Sequence, residues 1–140
     1  MPETHDLERF LNAQTPQVAD VLAELQRGRK LTHWMWYFFP QLRGLGVSST
    51  AQFYGIESLD EAIAYLDHDV LGARLRECVA LMNTHRNKTA EQILGSVDAM
   101  KFRSSLTLFA KASGDEAVFI EALDRYFGGQ PDQRTLDLLA

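Results

Sequence analysis

The sequence predicts an all-α fold, on three observations. Apolar side chains recur at helical spacing along most of the chain, and residues that start and stop helices bracket those stretches. No segment alternates in the way a half-buried strand requires. The expectation is one domain over residues 1–140, an orthogonal or irregular bundle of about seven to nine helices.

Each element has its own justification. Leu7, Phe10 and Leu11 open a short helix. Thr15 is expected to cap a second, with Pro16 in the first turn, where its missing N–H costs nothing. Val18, Val21, Leu22 and Leu25 form its apolar stripe, and Gly28 is a natural stop. From about Gln41 to Tyr54 the glycines and serines read as a loop, with Ser49 or Thr50 capping a short helix to Phe53. Ser58 and Glu61 form a capping box before the stripe of Leu59, Ala62, Ile63 and Leu66.

The clearest helix starts near Asp69, with Leu71, Leu75, Cys78, Val79 and Met82 on one face and His68 at its N-terminal junction. Thr89 and Gln92 repeat the capping box. Ser96 is expected to cap a long helix to about Ala112, stopped by Ser113 and Gly114. Asp115 opens another, with Phe119, Ala122, Leu123 and Tyr126, ending at Gly128 and Gly129. Asp132 caps a last turn containing Leu136, Leu138 and Leu139.

Composition narrows the function classes. Fourteen basic and nineteen acidic side chains give a net charge of −5, interleaved along the chain. That is the wrong balance for a nucleic-acid binder, which needs a basic stripe to displace counterions from phosphates. One cysteine forms no internal disulfide, which fits a reducing, cytoplasmic compartment. The longest apolar run, Trp34 to Phe39, ends at Pro40, far short of the roughly 20 residues of a membrane helix. Glu3, His5, Asp6, Glu8 and Arg9 interrupt any signal-peptide pattern. The histidines show no HExxH or zinc spacing, so no metal site is expected. The phosphate-loop, dinucleotide and nucleophile-elbow motifs are also missing from the sequence, and no cofactor is expected. Cys78, on an apolar stripe, reads as a buried inert thiol.

Two segments break this ordinary pattern. From His33 to Pro40 the chain reads His-Trp-Met-Trp-Tyr-Phe-Phe-Pro. As a helix it is apolar on every side, which means burial or a covering partner. The segment is either a central core helix or a stacking wall for a flat ligand, with His33 as a polar contact or proton donor. In the second segment, from Ser96 to Phe109, Asp98, Lys101 and Ser105 share a sector about 60° wide with apolar neighbours on both flanks. Arg103, Thr107 and Ala110 occupy the opposite sector and read as the wet face. The polar trio either closes a helix junction as an ion pair with a back-bonding serine, or marks a pocket mouth. In the pocket reading, Lys101 meets an anion and Asp98 acts as a base or holds the lysine. The cluster of Arg27, Arg29 and Lys30 reads as a solvated helix end or as an anion-binding rim near His33.

Both segments also carry a family resemblance. The run from Gly28 to Leu42 with Gly44-Leu45-Gly46, the stretch Val70 to Leu75, and the stretch Asp98 to Phe109 resemble a widespread bacterial family of small all-helical proteins. Some genomes label that family calpastatin. The likeness extends through Tyr126-Phe127 and Asp132, with Asp69 standing where family members usually have proline. It implies a single helical domain and no established activity. A fainter similarity, in size, helical class and an aromatic segment ending in Phe-Pro, reaches the YbiA-like proteins. Those are linked to N-glycosidase chemistry on ADP-ribose-like or riboflavin-precursor molecules.

The resulting expectation is a cytoplasmic domain that binds an anionic, partly aromatic small molecule such as a nucleotide or an ADP-ribose-like compound. His33 and Asp98 are the candidate catalytic groups, and Trp34, Trp36, Lys101 and Ser105 the candidate binding groups. The competing expectation is a non-catalytic interaction or scaffold module, with the aromatic segment or its flanking loop exposed to a partner.

Overall fold

The computed structural model describes residues 5–140, so Glu3 lies outside it. Ten helices follow one another among the described residues. They are α1 (Glu8–Gln14), α2 (Val18–Arg27), α3 (Met35–Phe38), α4 (Ser49–Phe53) and α5 (Leu59–Asp67). After these come α6 (Leu71–Met82), α7 (Ala90–Leu94), α8 (Ser96–Ser113), α9 (Ala117–Phe127) and α10 (Gln133–Leu139). No strand forms among the described residues; a single parallel bridge joins Leu42 to Ile56. None of the described helices is long and apolar enough to cross a membrane.

Local chemistry sets most of the boundaries. Gly28 ends α2 in the left-handed region at φ 77°, a conformation that glycine adopts without steric cost. Thr89 and Gln92 close the full capping box before α7, and Asp132 caps α10 by accepting from the Thr135 amide. His68 Nδ1 accepts from the amides of Val70 and Leu71, which fixes the turn into α6.

Several starts differ from expectation. Thr15 ends α1, its hydroxyl turned back to the Leu11 carbonyl, and Gln17 precedes α2. Ser48 caps α4, one residue before the expected serine. Gly95 stands before α8 and Glu116 before α9. The Ser58 box is half formed, because the Glu61 carboxylate turns to the Glu57 amide and to Arg9.

The long helix α8 is the axis of the fold, packed by α3, α5, α7, α9 and α10. Phe102, Leu106, Leu108 and Phe109 on it are fully buried, and one continuous core cluster joins them to Phe10, Trp34, Phe38, Phe39 and Tyr65. The supposed wet face of α8 is covered as well. Thr107 and Ala110 are buried because the C-terminal segment folds back over them: the Asp132 amide donates to Thr107 Oγ1 at 2.8 Å and Arg103 Nε to the Gln130 carbonyl at 2.8 Å.

Candidate ligand-binding site

The site starts from a buried carboxylate. Glu24 lies on the inner side of α2 and accepts from the Leu31 amide at 2.7 Å, the Thr32 amide at 3.1 Å, the Thr32 hydroxyl at 2.7 Å and Trp34 Nε1 at 2.9 Å. Burial alone pushes the Glu24 carboxyl upward, but these donors outweigh it and hold its pKa at about 2. One side chain thereby shapes the loop from Leu31 to Trp34 and delivers Lys30, His33 and Trp36 to one edge of the molecule.

The opposite edge comes from the first turns of α8. Asp98 Oδ1 accepts from Lys101 Nζ at 3.1 Å and Oδ2 from Lys30 Nζ at 2.9 Å. Each ammonium also faces an indole: Lys30 Nζ lies 5.3 Å from the Trp34 ring centroid and Lys101 Nζ 4.3 Å from that of Trp36. The result is a chain of two lysine–tryptophan pairs bridged by one carboxylate.

Two adjoining cavities meet at this chain. The smaller, about 70 Å³, is lined by Lys30, His33, Trp34, Tyr37, Asp98 and Lys101 among others. The larger, about 280 Å³, runs from Trp36 and the Gln41–Gly46 loop across α8 to the start of α10. Val97, Met100 and Leu45 give it apolar walls, and Lys101, Arg103, Arg134, Ser104 and Asp132 supply polar groups. Trp36 and Lys101 line both. Two cations to one acid in the first, and three to one in the second, suit an anion, although the chain as a whole is acidic.

A family model described as "Protein of unknown function (DUF1810)" matches residues 4–139. The chain belongs to the DUF1810 family. This DUF1810 chain is also similar to a solved structure, the conserved hypothetical protein Rv1873 from Mycobacterium tuberculosis. The two are 51% identical, the match covers 96% of each chain, and the TM-score is 0.94. No curated protein matches it.

In the DUF1810 chain, five of the six residues singled out from sequence meet at the cavities: His33, Trp34, Trp36, Asp98 and Lys101. Ser105 does not. It is buried at 1% exposure and lines neither cavity, and its neighbour Ser104 takes the cleft position, donating to Asp132 Oδ2 at 3.2 Å. Trp34 is sealed at 1% exposure with its N–H spent on Glu24, so it floors the smaller cavity rather than offering an open stacking face. Trp36 is half-buried and remains reachable. Each oxygen of Asp98 accepts from one ammonium group, an arrangement that positions both lysines. His33 is exposed at the rim.

Sequence reasoning missed Glu24, Arg103, Ser104, Asp132 and Arg134 as site-forming groups of the DUF1810 chain. It also missed a second polar cluster. His5, Glu57 and Glu61 bring potential ligand atoms within 4.8 Å of one another. Glu61 is there committed to the buried Arg9 at 3.0 Å and to the Glu57 amide at 2.8 Å. The guanidinium already supplies the positive charge that a cation would bring.

Proposed function

We propose that this DUF1810 chain is a bacterial, cytoplasmic domain that binds a small anionic molecule with a flat portion, a nucleotide or a relative of ADP-ribose. The observation that carries this reading is the position of Lys101, which lines both cavities while resting on the Trp36 ring and on Asp98. The ammonium is held in place without being buried, so an entering anion gains its charge at little conformational cost. Asp98 serves as the lysine's anchor. His33 is the group placed to donate or accept a proton if a bond is cleaved. A buried, unpaired Cys78 supports the reducing compartment, and the mycobacterial relative supports the bacterial setting.

The test is a thermal-shift screen of nucleotides, ADP-ribose, NAD and sugar phosphates against the parent and Lys101→Ala. A ligand at a hundred times its Kd adds about 2.7 kcal/mol of stability, a shift of several degrees. The parent should show such a shift and the variant should lose it. A panel without effect on the parent removes the reading.

One observation favours the interaction-module alternative: Val97 and Met100 are 67% and 72% exposed at the cleft, and Val47 on the nearby loop is 92% exposed. The aromatic run itself contributes little to such a surface, because Trp34, Phe38 and Phe39 are each 1% exposed. Sedimentation of the parent and of Met100→Lys distinguishes the two. A self-association lost in the variant supports the module, and a monomer at high concentration removes its homodimeric form.

A further inference from the structure

We infer that the larger cleft takes a monophosphate ester of a flat heterocycle, of nucleoside monophosphate size, with the phosphate toward Arg103 and Arg134 and the ring against Trp36 and Met100. This rests on the small-molecule reading above and narrows its ligand class.

Three features of the cleft point this way. The first is size. At about 280 Å³ it stands at the foot of the range of about 300–1,000 Å³ usual for ligand pockets. One ring, one sugar and one phosphate fill that space, whereas the second half of a dinucleotide would hang outside.

The second is how the polar groups are spent. Among the described residues one carboxylate, Asp132, lines it, and its Oδ2 is turned to protein donors: Ser104, the Thr135 amide and the Thr135 hydroxyl. Arg103 uses Nε on the Gln130 carbonyl, and that bond fixes the plane of its guanidinium while its terminal nitrogens stay available. Arg134, on the first turn of α10, lines the same cleft and is exposed. Two guanidinium groups flanking a phosphate give the forked, charge-assisted hydrogen bonds that a lone lysine does not.

The third is the apolar side. Met100 and Val97 lie open to solvent in the cleft that Trp36 and Leu45 also line. An indole and an adaptable thioether form a slot for an aromatic ring. Gly46 also lines the cleft, and its backbone packs closely there: a methyl group would sit 2.6 Å from the Ala51 methyl and 3.4 Å from Trp36 Cη2.

The experiment is calorimetric titration of the intact protein with the four ribonucleoside 5′-monophosphates, their nucleosides and ADP-ribose, repeated with Arg134→Gln and Lys101→Ala. At least one monophosphate should bind about tenfold more tightly than its nucleoside. Arg134→Gln should remove about that factor for the monophosphate and leave the nucleoside unchanged. Equal affinity for nucleoside and monophosphate, indifference to Arg134→Gln, or ADP-ribose binding at least tenfold above every monophosphate overturns the inference. If binding in those cases still depends on Lys101, the broader reading stands without it. If nothing binds, both fall.

Discussion

The indole nitrogen of Trp34 donates to Glu24 Oε1 at 2.9 Å, inside a carboxylate that also holds Leu31 and Thr32. Every donor there is an N–H or O–H facing an acceptor, and an amide in place of Glu24 would turn one N–H₂ toward them. Glu24→Gln should therefore cost about 2–3 kcal/mol at pH 7, measured by urea unfolding.

The same carboxylate makes stability depend on acid. Its pKa is about 2 in the fold against an ordinary value of 4.5, so its contribution is complete above about pH 4.5. That contribution fades as pH falls through 2. The parent should lose stability more steeply than Glu24→Gln between pH 5 and pH 2. Parallel curves would mean that folding leaves the pKa of this carboxylate unshifted.

Asp98 separates two lysines. Removing its charge with Asp98→Asn leaves Lys30 and Lys101 facing each other across a neutral amide. Because these groups remain partly exposed, the loss should be modest, about 1 kcal/mol at low salt. Salt weakens the parent's attraction and the variant's repulsion alike, so the gap should narrow toward zero in 1 M sodium chloride. A gap independent of salt would point to hydrogen-bond geometry instead of charge.

Gly72 sets the crossing of α5 and α6. A Cβ at that position would lie 2.1 Å from the Leu66 carbonyl oxygen and 2.9 Å from Arg76 Nη1. Alanine gains about 1 kcal/mol in helix propensity over glycine, but a clash with backbone forces the helices apart. Gly72→Ala should lose at least about 3 kcal/mol net. A stabilised variant, read from its thermal midpoint, would show that the two helices can separate freely.

Cys78 is fully buried, and burial pushes its thiol up to about 12. The native protein should resist Ellman's reagent at pH 8 and react at once in urea. Rapid native labelling would place the thiol at the surface.

Several features that depend on neighbouring residues were legible in the sequence, although the caps expected at Thr15 and Ser96 do not form. The caps at Thr89 and Asp132, the stop at Gly28 and the junction role of His68 all involve partners within four residues. Features that depend on distant partners were not. The aromatic run reads as a helix from Trp34, yet only one turn forms, because Glu24 draws off the amides ahead of it and Phe39 leaves the helical region at ψ 66° before Pro40. The Asp98–Lys101 pair was readable as an i,i+3 contact, whereas Lys30 reaches Asp98 from far away in the chain.

Ser105 shows a different limit. A helical wheel gives direction and hides depth. Ser105 shares a sector with Asp98, but it lies about 10 Å further along the axis, where the bundle has closed around α8. Thr107 and Ala110 were misread for a related reason, since nothing in α8 announces that the last ten residues return to cover it.

The two indoles of this chain differ in kind. Trp34 is shut away with its N–H bound, while Trp36 stands at the junction of two hollows beneath an ammonium group. Light emitted by the first reports on the integrity of the interior, and light emitted by the second on whatever displaces that ammonium. A ligand of the proposed kind would thus be read by the protein's own emission, without a dye and assignable by replacing one ring at a time.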